Sequence, residues 1–252
     1  NNLWTGQFAV PDWDMFQSHH EAGAFHAASR SISGGPIYVS DEPGKQDFAL
    51  LRKLCTTGGR VLRCPEPAVP AADCLFVDCY REEKLLKIAN RNGEVGVLGL
   101  FHCCWREDEA ERRAIAEAFT PTDVPGLDGG RFAAYLHHAG ELHVMTSGAT
   151  HELELPPMGC EIVTLSPIVH GIAPLGLLDK FNGSAAIEAA DFREDGAFAA
   201  RLRDGGRIGF YCHREPRRVL VNGRERKGRY DADNGLLIVT PKEGEAVEVV
   251  IS

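Results

Sequence analysis

Pro11-Asp12-Trp13-Asp14-Met15-Phe16-Gln17-Ser18 sets two carboxylates, an indole and a thioether side by side. Carboxylates accept hydrogen bonds from hydroxyls, and such charge-assisted bonds are roughly twice as strong as neutral ones. The indole and the thioether offer apolar contact to the carbon face of a ring. Asp12, Trp13, Asp14 and Met15 are therefore the candidate sugar-binding residues.

The residues after Gln17 fix the place of this stretch in a fold. Ser18-His19-His20-Glu21 has capping-box spacing, which predicts a helix starting there. Ala22, Phe25, Ala28 and Ile32 continue it on one apolar face, and Ser33-Gly34-Gly35-Pro36 stops it. Ile37-Tyr38-Val39 then reads as a short strand of the kind buried in a parallel sheet, with Ser40 and Asp41 at its carboxyl end. Ligands of α/β folds sit at the carboxyl ends of strands, so Asp12, Asp14, Ser40 and Asp41 are expected on one rim. His20 and His26, on the helix, are expected to support the loop by hydrogen bonding or packing.

Asp12 and Asp14 do not suit the roles of nucleophile and acid. Retaining glycosidases hold those carboxyls about 5–5.5 Å apart across the scissile bond. Residues two apart on an extended chain lie roughly 6.6 Å apart and face the same way. The pair reads as two hydroxyl ligands, or as one ligand and one structural acid; an ordinary capping loop has the same composition.

Lys45 to Cys55 reads as a further helix, ended by Thr56-Thr57-Gly58-Gly59. Beyond residue 58 the texture changes to short alternating runs between turns, as in an all-β sandwich. Strands are expected over 60–63, 74–77, 85–90, 95–101, 131–137, 142–146, 151–155, 160–165, 171–181, 206–212, 217–221, 236–240 and 246–251. Asn222-Gly223 and Asn234-Gly235 are hairpin signals, and Asp108–Phe119 reads as a short charged helix. His137, His138 and His143 read as exposed strand histidines rather than a metal cluster, because alternation sends the first two to opposite faces. Eight cysteines show no Cys-x-x-Cys pair and read as small buried hydrophobes in a reducing compartment, which favours the cytoplasm and no zinc; a disulfide between two of them is the alternative.

Composition bounds the rest. The 252 residues are 44% hydrophobic and 25% charged, enough for one or two domains. A formal charge of −9 argues against nucleic acid or an anionic membrane as partner. No run approaches the ~18 apolar residues of a membrane span.

The stretch 11–16, with His26-Ala27-Ala28-Ser29-Arg30 and Gly34-Gly35-Pro36-Ile37-Tyr38-Val39-Ser40-Asp41, resembles the raffinose synthase, seed imbibition protein and alkaline α-galactosidase group of glycoside hydrolase family 36. The likeness continues through Leu85–Asn90, Glu161–Pro167, Ala173–Leu177 and Arg217–Gly223. The resemblance implies a (β/α)8 barrel followed by an antiparallel β-sandwich. It also implies a retaining double displacement at α-galactosides, with two aspartates and no metal or other cofactor. In that family the segment matching Asp12–Met15 follows the seventh barrel strand, and its Asp-Met pair, here Asp14-Met15, touches galactose. The motifs that carry the nucleophile and acid/base aspartates have no match in this sequence, and the resemblance places both upstream of Asn1.

The resulting expectation is α/β plus all-β. Residues 1–57 would be the last βα units of the barrel, and residues 58–252 the sandwich. Two such units cannot close a barrel that typically takes about 250 residues. The chain would then be the C-terminal portion of an enzyme acting on the raffinose series or galactinol, partnered by a missing N-terminal part that holds both catalytic residues. The alternative is a noncatalytic β-sandwich module that binds carbohydrate or protein.

Overall fold

The computed structural model describes residues 2–252. Asn1, upstream of which the nucleophile and the acid/base are expected, lies outside the described residues. The helices are few and early: α1 (Asn2–Thr5), α2 (Gly23–Ile32) and α3 (Phe48–Leu51), the last extended by a 3-10 turn over Arg52–Leu54. The rest is mainly antiparallel sheet. The central sheet has six strands, β1 (Val69–Pro70), β2 (Leu86–Asn92), β3 (Val95–Phe101), β8 (Cys160–Pro167), β5 (Arg131–Leu136) and β6 (Glu141–Thr146), adjacent in that order. Beside it, β4 (Ile115–Phe119) pairs with β7 (His151–Leu155).

The other two sheets face each other. One holds β10 (Ile187–Phe192), β11 (Phe198–Leu202), β17 (Val247–Ile251), β13 (Val219–Val221) and β14 (Arg224–Glu225); the other holds β15 (Arg229–Asp231), β16 (Leu236–Val239), β12 (Ile208–Cys212) and β9 (Ile172–Leu177). Their inward residues, among them Leu202, Phe210, Val221, Leu237 and Val249, form one core cluster.

Strand alternation divides the central sheet between two coverings. Leu98, Leu100, Val163 and Leu165 meet Ile115, Phe119 and Leu155 of the β4–β7 pair. On the opposite face Ile88, Val97, Phe101 and Ile162 meet Ala27, Ala28 and Ile32 of α2, with Phe16 and Leu50. Farther along that face, Ala133, Tyr135 and Leu142 pack on Leu175, Tyr211 and Ile238.

Several expectations need correction. The helix expected from Ser18 starts at Gly23, because the Ser18 hydroxyl donates to Asp41 Oδ2 (2.7 Å) and accepts from the Asp47 amide (2.8 Å) instead of capping. The helix expected over 45–55 shrinks to α3 and its 3-10 turn behind the Asp47 cap, whose carboxylate accepts from the Leu50 amide. Residues 37–39 form no buried strand: Tyr38 and Val39 are both 37% exposed, and Val39 makes one parallel bridge to Phe16.

The charged helix over 108–119 is a 3-10 turn at Glu109–Glu111 followed by β4. Residues 60–63 make only the isolated bridge of Val61 to Cys55, and Ala72–Cys74 form a 3-10 turn where a strand was expected to begin. The run expected over 171–181 ends as a strand at Leu177. Strands β10 and β11 lie outside the expected set; β10 is largely exposed along its length and has no alternation to read. The β-sandwich expected over 58–252 corresponds to mainly antiparallel sheet, four sheets in all, two of which oppose each other across one core.

Candidate functional site

The loop over residues 11–15 is shaped by its own side chains. Asp12 Oδ1 accepts the Asp14 amide (2.8 Å) and Oδ2 accepts the Tyr38 hydroxyl (2.6 Å). These two hydrogen bonds, the tyrosine's first, hold the Asp12 carboxyl below its ordinary pKa, and the same contact raises that of Tyr38. Asp14 adopts φ +66°, a left-handed conformation that Asp and Asn tolerate better than other non-glycine residues. The segment is thus an Asx turn, not the extended chain assumed from spacing, and Asp12 is a structural acid with both oxygens engaged. Asp14 Oδ1 accepts the Met15 amide (2.7 Å). Its Oδ2 has no hydrogen-bond partner among the described residues and stands on the exposed rim beside Met15, which is 49% exposed.

Trp13 takes a different role. Its indole is half-buried against the cluster formed by Phe16, Ala27 and Phe101, so it anchors the loop more than it faces outward.

Arg30, buried on α2, holds the loop from beneath. Its Nη2 donates to Trp13 O (2.6 Å) and its Nε to Asp14 O (3.1 Å). Nη1 donates to Ser29 Oγ and to His26 Nδ1, each at 3.0 Å, and the guanidinium lies over the Phe16 ring at 5.7 Å. Burial lowers the His26 pKa and the arginine's charge adds to that, so His26 is a neutral imidazole accepting from Arg30. His26 therefore supports the loop through Arg30. His20 does not reach the loop by a hydrogen bond: its Nδ1 accepts the Ala22 amide (3.1 Å) at the start of α2.

Ser40 and Asp41 separate in the same way. The Ser40 amide donates to Phe16 O (2.9 Å), and its side chain is exposed. The Asp41 side chain is fully enclosed, with its oxygens on the Ser18 amide, the Ser18 hydroxyl and His19 Nδ1. Burial alone would raise its pKa, but these hydrogen bonds hold it below the ordinary value. Asp41 locks the loop's far end and presents no free oxygen to a ligand. Arg30, Tyr38, Ser18 and His19 were not singled out from sequence as loop supports. Arg30 had one available signal: an arginine three residues after Ala27, one turn along a helix whose other positions nearby are the small or apolar Ala27, Ala28 and Ile32.

The position of α2 is set by the β half. Its last carbonyls, left without partners by helix geometry, are claimed from outside: Ile32 O accepts Asn90 Nδ2 (2.7 Å) and Ser31 O accepts Asn182 Nδ2 (3.0 Å). Asn92 in turn donates to Asn182 Oδ1 (2.7 Å). Gly34, at φ +73°, ends the helix where any Cβ would collide with the Glu66 carbonyl.

Elsewhere, the candidate histidines have structural partners. His137 Nε2 bonds Thr164 Oγ1 (3.0 Å), and the His138 ring stacks on Phe181 and contacts Glu161. Among the described residues no group of three or more His, Cys, Asp or Glu side chains is set to hold a metal ion. All eight cysteines are free thiols. Burial pushes Cys64, Cys160 and Cys212 up to about 12, which leaves them inert.

The sequence profile described as "Raffinose synthase or seed imbibition protein Sip1" matches residues 1–240. The chain belongs to this family. Within it, a galactinol–sucrose galactosyltransferase of Oryza sativa subsp. japonica is 40% identical over 258 residues, covering 92% of this chain and 33% of the relative. A stachyose synthase of Pisum sativum is 32% identical, covering 99% of this chain and 32% of the relative. The chain thus spans about a third of the length of these raffinose synthase relatives. Among solved structures, α-galactosidase I from Mortierella vinacea superposes loosely, with a TM-score of 0.38 and 9% identity over 58% of this chain and 36% of that one.

Proposed function

We propose that this chain is the C-terminal portion of a retaining enzyme acting on α-galactosides of the raffinose series or galactinol, and that it supplies one wall of the galactose pocket. The observation that carries the reading is the division of labour in the loop. Asp12 is consumed by Tyr38 and the Asp14 amide, while Asp14 keeps an unclaimed oxygen beside the exposed Met15 thioether. A carboxylate oxygen next to an apolar contact suits one hydroxyl edge and one carbon face of a sugar. Arg30 fixes both carbonyls of the turn, so the arrangement is set before a sugar arrives.

The relatives' names, galactinol–sucrose galactosyltransferase and stachyose synthase, support the α-galactoside substrate. Residues 16–39 support reading the first 57 residues as barrel units: two segments joined by α2 meet in a parallel bridge, Phe16 with Val39. Among the described residues, seven of the fifteen exposed large hydrophobics lie in the first 48 positions, from Trp4 to Phe48, as expected of a face that further barrel strands would cover. The two aspartates of the double displacement would come from sequence upstream of Asn1, one forming the galactosyl-enzyme and the other moving the proton. Eight unpaired thiols favour a reducing compartment, the cytoplasm.

The chain incubated with a nitrophenyl α-galactoside is expected to release no nitrophenol above background. Robust hydrolysis would mean that its own carboxylates do the chemistry.

A further inference from the structure

A cleft of about 990 Å³ opens at one edge of the two opposed sheets and shares no residue with the loop over 11–41. It forms where β14 and β15, edge strands of the two sheets, are joined by residues 226–228. Val221, Val239 and Val247 of the inter-sheet core make its floor. Its rim carries Arg224, Arg226, Lys227, Arg229 and Lys242, all exposed, against a single carboxylate, Glu245.

Strand register accounts for the placement of Arg224. Arg224 lies directly opposite Val221 across the β13–β14 pair and so shares its face, which is the core face. Arg229 lies opposite Ile238 across β15–β16, on the face turned away from the inter-sheet core, and lines the cleft from its edge strand. None of the five cations forms an ion pair with any described residue, although the chain as a whole carries −9. Arg207, also on the lining, is different, since Asp179 holds it at 2.7 Å. One inward charge is enough to protect a sheet edge from pairing. Five unpaired cations repel one another and are costly to gather unless an anion joins them.

We propose that this cleft binds a small molecule carrying two or more phosphate groups. Three arginine forks match phosphate oxygens bidentately, and the lysines add point charges. The volume lies within the roughly 300–1,000 Å³ of small-molecule sites. Cations on both sides of the cleft suit a ligand charged at more than one place.

The test is calorimetric titration of the full chain with pyrophosphate at low and physiological salt. Binding is expected, and it should weaken at the higher salt. Arg224→Glu combined with Arg229→Glu should weaken it at least about tenfold, with the milder Arg224→Gln/Arg229→Gln pair falling between if the reversal harms folding. Arg131→Glu, exposed at the start of β5, should leave it within about twofold. The proposal is overturned by an absence of binding, by equal loss in the Arg131 variant, or by unchanged affinity in both double variants. Binding of a poly-glutamate peptide without binding of pyrophosphate would overturn it too, assigning the cleft to an acidic protein segment.

Discussion

Asp14 and Arg30 are the two residues on which the candidate site turns, and they predict opposite kinds of mutant. Asp14→Asn keeps a side chain that tolerates φ +66° and can still accept the Met15 amide. Its melting temperature should stay within a degree or two of the parent while sugar contact is lost. Arg30→Met removes a buried fork from Trp13 O, Asp14 O and His26, so it should cost about 2–4 kcal/mol in a denaturant titration. Arg30→Lys should recover only part of this, because an ammonium cannot span both carbonyls. Little effect in both Arg30 variants would mean that the loop holds itself. The residue types of the loop were legible in the sequence, but their division was not. Asp12 and Asp14 look alike until Tyr38, 26 residues away, takes Asp12 Oδ2.

At the scale of elements, the attachment of α2 decides where the loop sits. Asn90→Ala would strand the carbonyls of Ile32 and Glu66, both of which accept its amide, and should destabilise the chain by about 2–4 kcal/mol. Gly34→Ala combines a left-handed backbone with a collision against Glu66 O and should cost about 2 kcal/mol or more. Either variant retaining parental stability would contradict the account of how α2 is docked. Elements were readable where one periodicity had no rival, as in β2, β3 and β12. Ile115 and Phe119 show the limit: a spacing of four places both on one face of a helix and of a strand alike. Only the partner β7, more than thirty residues on, selects the strand. Ser18 failed as a cap for a similar reason, since Asp41 competes for its hydroxyl from 23 residues away.

For the whole molecule, buried titratable groups predict an acid-sensitive fold. Burial pushes His137 down to about 4 from an ordinary 6.5, so the folded state favours its neutral form. The unfolded chain takes up that proton first as pH falls. Stability should therefore be full above about 6.5 and decline toward pH 4, with His26 and His151, shifted in the same direction, adding to the slope. His137→Asn should flatten this window in melting temperatures measured against pH; an unchanged slope would remove His137 from it. Below it the carboxylates take over. Burial alone would raise Glu161 and Asp204, but His138 and backbone amides hold Glu161 low, and the Thr57, Gly205 and Gly244 amides do the same for Asp204. The stabilisation they give is present above the ordinary carboxylate range and disappears as pH drops through their folded values. At this scale the sequence announced a change of texture near residue 58, but not four sheets, because pairing order across so long a stretch leaves no local mark.

The claim at the centre is that the free edge of Asp14, with Met15, meets galactose. The most direct measurement is a two-dimensional amide NMR titration of the full chain with galactose, run on the parent and on Asp14→Asn. The account predicts saturable shifts concentrated on the amides of Trp13, Asp14 and Met15, absent from the variant. Shifts confined to other parts of the chain, or identical in the two proteins, would contradict it.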